Sequence, residues 1–379
     1  MFLESTISDI ENYPFLNPFR FENDPSKKYW HISTLESLLE ENWNSIEEGV
    51  TENREYLAAR EKIFSSSVFQ YFTDQKNRII QESLETDNSF QILGAYTCLL
   101  DSIVQTAFDY SFIDIPLIKE RLLEELNHEL NYKQKNLPEK KEKLKLLKEQ
   151  ILEMEKNLES GSSSSREYRY FQEVESQHES ETRILEERIE ELQQLIPQIQ
   201  EFKNDKNFVL NHLVIFARGG YGRAELGLSS DRDLGYCLDT NRLNNGEAEM
   251  LRQLIVHIEN LLRNSGVETA HQYFEIDEDL SRFDEVNTLH TIPSILESRV
   301  LLGSESLATN LKNRFFQVIT FEPYVLNLVR SFSESKEPEL NRMDLKMDYG
   351  GLRSLQIPLW ITAATFGIFP SQTADLLAF

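Results

Sequence analysis

Residues 216–238 read FARGGYGRAELGLSSDRDLGYCL, and they stand apart from a chain otherwise rich in Glu, Lys and Leu. Gly219, Gly220 and Gly222 lack a Cβ, so the backbone there can take positive φ and bring its N–H groups close to a ligand. Turns of this kind form concavities that bind anions. Downstream, Ser230, Asp231 and Asp233 precede or open an apolar run that reads as a strand. Residues two apart on a strand share a face, so Asp231 and Asp233 are expected to converge while Arg232 points away. Two adjacent carboxylates repel unless a cation lies between them. Mg²⁺ suits such a pair, because it takes oxygen ligands at about 2.1 Å and is commonly completed by substrate phosphates. Alone, a glycine pair reads as a plain loop and Asp-x-Asp as a solvated strand end. Together and in this order, between two predicted strands, they favour a site for a metal–triphosphate complex.

The surrounding sequence sets limits. The chain has 379 residues and a formal net charge of -25. That length suggests two or three domains. The acidic balance argues against general affinity for nucleic acid, which requires cations to neutralise phosphates. The only cysteines, Cys98 and Cys237, share no metal-ligand spacing with a histidine and read as buried thiols in a reducing compartment. The first residues, MFLESTISDIENYPF, lack the basic and apolar regions of a secretory signal. LQIPLWITAATFGIF is shorter than the roughly 20 residues a spanning helix needs. A cytoplasmic protein without a membrane segment is expected.

Four regions follow from composition and periodicity. Residues 1–115 read as an N-terminal helical region, with FQILGAYTCLLDSIVQTAF as its central helix. In 116–200, Leu123, Leu126, Leu130, Leu137, Leu144, Leu147, Ile151, Met154 and Leu158 recur at steps of three, four or seven, flanked by Glu and Lys. This predicts an antiparallel coiled-coil hairpin that turns at ESGSSSSRE, with Pro138 kinking or interrupting its first helix. Such an arm suits a partner or self-association. From 204 to 320 the order is strand (FVLNHLVIFARGG), glycine turn, strand, helix stopped by Gly266, and strand (VETAHQYFEI). A helical pattern resumes over 321–379. The fold class is therefore α+β: a small mixed-sheet domain with helical regions on either side.

GGYGRAELGLSSDRDLGY resembles the signature of the DNA polymerase β-like nucleotidyltransferases, above all the protein-PII uridylyltransferases, whose usual form reads GGYGRGEL, a spacer and SDIDL. GVETAHQYFEIDE is similar to GLEVGHSVRTIEE, TLHTIPSILESRVLLGSESL to DLTVATSLLEARLLAGD, and DLKMDYGGLRSLQIPLWITAATFG to IKEGPGGLRDLQTLLWIARRHFG. The resemblance runs over 205–370, in the family's order. Relative to the usual form the chain reads as a short form or fragment in which the coiled-coil hairpin is an insertion.

The resemblance implies a polymerase β-like catalytic domain at 204–320 and the start of a helical substrate-binding domain at 321–379. It implies that Gly219 and Gly220 bind the triphosphate of UTP or ATP and that Asp231 and Asp233 are catalytic and hold Mg²⁺. Arg223, Ser230, Lys346 and Arg353 are expected to add nucleotide contacts. The implied reaction transfers a nucleoside monophosphate, UMP first, to a hydroxyl of a regulatory protein such as PII, with release of pyrophosphate. The family's phosphohydrolase and small-molecule-sensing domains are not expected of this chain. Four departures stand out. Ala224 replaces a glycine, a mild change if its φ is negative. Arg218 occupies an apolar position, free to touch phosphate or reach solvent. Phe274 stands in place of an arginine, and Ser354 in place of an aspartate. These leave a second reading open, a weak or inactive nucleotide sensor that docks partners through the hairpin. For a third carboxylate, Glu268 and Glu275 are the candidates. His271 reads as a ligand contact or a structural histidine, and Glu225 as a support for the turn.

Overall fold

The computed structural model describes residues 25–44, 53–85, 89–159, 165–224, 226–228, 230–276, 292–295 and 297–318, with 326, 330, 357, 358, 360 and 361 beyond them. Lys346, Arg353, Ser354, Glu225 and most of the expected 321–379 region lie outside the described residues. Chain packing divides the molecule into two units.

The first unit contains a helical bundle and a four-stranded sheet. The bundle comprises α1 (Pro25–Asn44), α2 (Asn53–Glu85) and α3 (Ser89–Ile113). From Tyr96 to Phe108, α3 is buried almost all round, through Tyr96, Leu99, Leu100, Ile103, Val104 and Ala107. That matches the central helix expected from its apolar sequence.

The second unit is a helical pair, α4 (Ile115–Glu159) and α5 (Ser165–Glu201), with residues 244–250. Cross-pairs fix their direction: Arg188 to Glu129, Lys140 to Glu181, Lys148 to Glu179 and Tyr168 to Glu155. Later residues of α4 meet earlier ones of α5, so the helices are antiparallel. Exposed pairs like these add little to stability, because solvent screens them. The apolar seam carries the stability, with Leu122, Leu126, Ile151, Ile189, Leu192, Ile196 and Ile199 buried. Helix α4 runs on through Pro138, so of the kink or interruption expected there, the interruption does not occur.

The sheet has order β3-β2-β1-β4. Its first element is preceded by α6 (Lys206–His212), whose N-terminus is capped by Asp205 accepting from the Asn207 and Phe208 N–H groups. Here the structure departs from the expected long strand. The cap draws residues 206–212 into a helix, and β1 covers only Leu213–Ala217. The glycine turn α7 (Gly219–Gly222) follows, then β2 (Asp233–Leu238), α8 (Asn245–Asn264), β3 (Ala270–Glu275), β4 (Arg299–Gly303) and α9 (Glu305–Val318). Gly266, at φ +71°, follows the end of α8 as a left-handed stop. β2 and β3 are parallel, joined across α8, while β1 is antiparallel to both β2 and β4. The sheet is mixed, as expected; β4 is an element the periodicity did not reveal.

Register assigns the faces. Asp233 pairs with Ala270, Gly235 with Gln272 and Cys237 with Phe274, so these residues share one face. Phe216 pairs with Gly235, and a Cβ on Gly235 would lie 2.2 Å from the Phe216 ring. That glycine lets Phe216 lie flat over β2. Phe216, Cys237 and Phe274 join Ile292, Ile295, Leu307, Leu311 and Phe315 in a core beneath this face. Among the described residues no helix is long and apolar enough to cross a membrane.

Candidate functional site

Asp233 opens β2 at the end of the sheet above that core. Its carbonyl accepts the Arg218 N–H at 2.8 Å, which fixes the start of the glycine turn against the start of β2. Gly219 sits at φ +53°, and a Cβ there would come within 3.2 Å of Asp233 Oδ2. The first predicted half of the motif therefore lies directly against the second. Within α7, Gly222 N–H reaches Arg218 O and Arg223 N–H reaches Gly219 O. The Gly219 and Gly220 N–H groups precede the first bonded donor, as at any helix start. Gly222 cannot take a side chain: a Cβ would lie 2.7 Å from Glu297 O and 2.8 Å from Ala217 O.

Asp231 is exposed and lies before the strand begins. Strand alternation therefore does not govern it, and Arg232 lines the same cleft as Asp231 instead of pointing away from it. Ser230 closes the preceding turn, accepting the Gly227 N–H on its Oγ at 3.2 Å while its own N–H bonds Gly227 O.

Arg223 is buried and donates to Glu297 Oε2 at 2.5 Å. The other oxygen of Glu297 accepts the Trp360 indole N–H at 2.6 Å. Three of the four separated sequence motifs, those containing GGYGR, LESR and PLW, thus meet at one buried carboxylate. Neighbouring Arg299 forms a two-point pair with Asp101 of α3, at 2.8 and 3.2 Å, which ties β4 to the bundle.

Two departures resolve differently from expectation. Ala224 has φ +55° and is fully buried, so the condition for a mild change is not met: an L-residue occupies a left-handed conformation. Arg218 neither projects toward solvent nor stands free for phosphate. It is buried and donates to Leu234 O, Gln272 Oε1 and Ser294 Oγ. Burial lowers its pKa, against the pull of the nearby Asp233 charge. Phe274 is wholly buried between Phe216 and Phe315. Arg218 reaches Gln272, two residues before Phe274 on the same face of β3.

The carboxylate candidates separate cleanly. Glu275 pairs with Leu238 on the face opposite Asp233 and is engaged by Arg252 at 2.7 Å and Tyr273 at 2.8 Å. Glu268 precedes β3 and lines the cleft with Asp231. His271 lies on the face opposite Asp233, 3.3 Å from Glu259. Among the described residues no group of three or more His, Cys, Asp or Glu forms a metal cluster. Sequence reasoning did not find Glu297, Gln272 or Ser294 as partners, since each is distant in sequence and carries no motif signal of its own.

No family model matches the chain. It is similar to bifunctional uridylyltransferase/uridylyl-removing enzymes. With that of Zymomonas mobilis it is 30% identical over 165 residues, 41% of this chain and 17% of the relative. With that of Azospirillum brasilense it is 31% identical over 160 residues, 39% of this chain and 16% of the relative. With that of Psychrobacter arcticus it is 29% identical over 171 residues, 44% of this chain and 18% of the relative. The chain thus matches under a fifth of the length of these curated relatives. Partial similarity of this kind supports a relationship to the uridylyltransferases.

Proposed function

We infer that this protein is a Mg²⁺-dependent nucleotidyltransferase that moves a nucleoside monophosphate from a triphosphate to a hydroxyl. The observation that carries the reading is the apposition of Gly219 and Asp233, with Oδ2 of the aspartate 3.2 Å from where a Cβ would stand. A side chain at 219 would fill the space beside the carboxylate, and glycine leaves it open.

The donor set fits the metal. Asp231 and Asp233 are hard oxygen donors, and a cation with few protein ligands is completed by phosphate oxygens. When bound, Mg²⁺ neutralises charge on the phosphates and supports the attacking and leaving oxygens of an in-line displacement. The chain's own residues do the rest. The glycine turn presents backbone N–H groups to the triphosphate, and Ser230 holds the turn that carries Asp231. Arg223 and Glu297 lock the base of the glycine turn from beneath, which makes Arg223 a positioning residue rather than a phosphate contact. The acceptor hydroxyl releases its proton to solvent as its oxygen bonds to the α-phosphorus, the bond to the bridging oxygen breaks, and its electron pair leaves with pyrophosphate. UMP is the group proposed, because the relatives are uridylyltransferases. A hydroxyl of a regulatory protein such as PII is the acceptor that the resemblance implies, and Lys346 and Arg353 are proposed to face the nucleotide.

Incubation with each α-labelled nucleoside triphosphate, Mg²⁺ and a cell lysate tests this, beside a variant carrying Asp231→Asn and Asp233→Asn. Label moved to a protein by the wild type alone is the expected result. Nucleotide binding without transfer under every condition would instead support the sensor reading, in which the hairpin docks a partner.

A further inference from the structure

The cleft beside Asp231 has a wall that lies outside the region of family resemblance. Its volume is about 450 Å³, and Ser230, Asp231, Arg232, Glu268 and Thr269 meet Lys76 of α2 across it. Lys76 is half-buried, with its ammonium 6.0 Å from the centre of the Phe72 ring and 5.9 Å from that of Tyr96. Among the described residues it has neither an ion pair nor a hydrogen bond. The second cation of the cleft is committed. Arg232 donates to Glu268 O at 3.1 Å and Tyr96 Oη at 3.0 Å, and lies 5.4 Å from the Phe72 ring centre. One cation therefore builds the wall while the other stands on the same aromatic surface with its donors unspent.

We propose that Lys76, supplied by the N-terminal bundle, binds the polyphosphate of the nucleoside triphosphate. This rests on the nucleotidyltransferase reading of the Asp231–Asp233 pair. Without ligand the cleft balances two cations against Asp231 and Glu268. A divalent cation held at Asp231, the aspartate that lines this cleft, turns that balance positive, so the complementary ligand is a chain of phosphate oxygens. A lysine is suited to the role: its ammonium is a point charge with three donors on a flexible stem, and charge-assisted bonds to phosphate are among the stronger hydrogen bonds. The helical bundle is then part of the binding site as well as a support for the sheet.

Calorimetric titration of UTP, ATP and UMP, each with Mg²⁺, into the wild type, Lys76→Ala and Lys76→Arg tests the proposal. Lys76→Ala is expected to weaken both triphosphates by about tenfold, the loss of one charge-assisted contact, and to change UMP by less than about twofold. Lys76→Arg keeps the charge and is expected to stay within about threefold of the wild type. Triphosphate affinity unchanged in Lys76→Ala overturns the role of Lys76 and leaves the nucleotidyltransferase reading standing. So does an equal loss for UMP and UTP, which would mean a structural effect or a contact to the nucleoside. A wild type that binds neither triphosphate overturns both.

Discussion

At the level of single residues, Ala224 shows how identity and conformation can part. Its φ of +55° costs an L-residue about 1–2 kcal/mol. Relief by glycine would be offset by a lost buried methyl, worth about 0.8 kcal/mol, and by the greater unfolded-state freedom of glycine, worth about 0.4–1 kcal/mol. Ala224→Gly is therefore expected to leave stability within about 1 kcal/mol of the wild type in urea unfolding. Ala224→Val, with a branched side chain at positive φ, is expected to lose at least about 2 kcal/mol. Gly219 was legible as a residue needing left-handed backbone because glycine advertises that freedom. Ala224 was not, because alanine does not. Arg218 was misread for a related reason: an arginine between an apolar strand and a glycine turn suggests solvent or phosphate, and its actual acceptors lie on other segments.

At the level of elements, the glycine turn is held by a carboxylate 74 residues away. Glu297 pairs Arg223 and accepts from Trp360, so Glu297→Ala would take one buried carboxylate away from both at once. Removing one partner of a buried pair costs about 3–5 kcal/mol, and a loss of that size in unfolding free energy is expected from denaturant titration. Glu297→Gln, which can still accept from Trp360, is expected to lose less. A loss for Glu297→Ala below about 1 kcal/mol would show that the pair does not anchor the turn. The strands around this carboxylate were legible in part. β2 and β3 were legible in DRDLGYCLD and VETAHQYFEI, and Gly266 stops α8 as expected. Residues 208–212 look like strand, yet Asp205 caps them within a helix. β4 was hidden because Arg299–Gly303 is only half-buried along its length and so lacks a clear alternation of apolar and polar positions.

At the level of the whole molecule, the hairpin was the easiest part to read, since its seam is local and repeats. The union of bundle and sheet in one unit was illegible, because it rests on polar pairs far apart in sequence: Arg232 with Tyr96, Arg299 with Asp101, and His257 with Asp114. The last has a measurable signature. His257 is enclosed, 3.3 Å from Asp114 and 3.3 Å from Glu61, and Asp114 also pairs with Arg60. Burial works against the charged imidazole, but the interactions with Asp114 and then Glu61 outweigh it and raise its pKa. A group whose pKa is raised by folding contributes its full stability below the unfolded value, near about 6.5, and loses that contribution as pH climbs through the raised value. The urea midpoint of the wild type is therefore expected to fall, relative to His257→Gln, as pH rises from about 6.5 through the raised value. Parallel pH profiles for the two proteins would remove His257 from the link.

All three scales meet at the apposition of Gly219 with Asp233, and the central claim is that this place, with Asp231, holds a metal–triphosphate complex. The most direct measurement is the binding of UTP and ATP by isothermal titration, with Mg²⁺ and with EDTA, in the wild type and in the Asp231→Asn, Asp233→Asn protein. The expected result is binding by the wild type that requires Mg²⁺ and is lost, by at least about a hundredfold, when both carboxylates are removed, as follows when two charged ligands are lost at once. Absence of binding by the wild type, or binding indifferent to Mg²⁺ and to both aspartates, would contradict it.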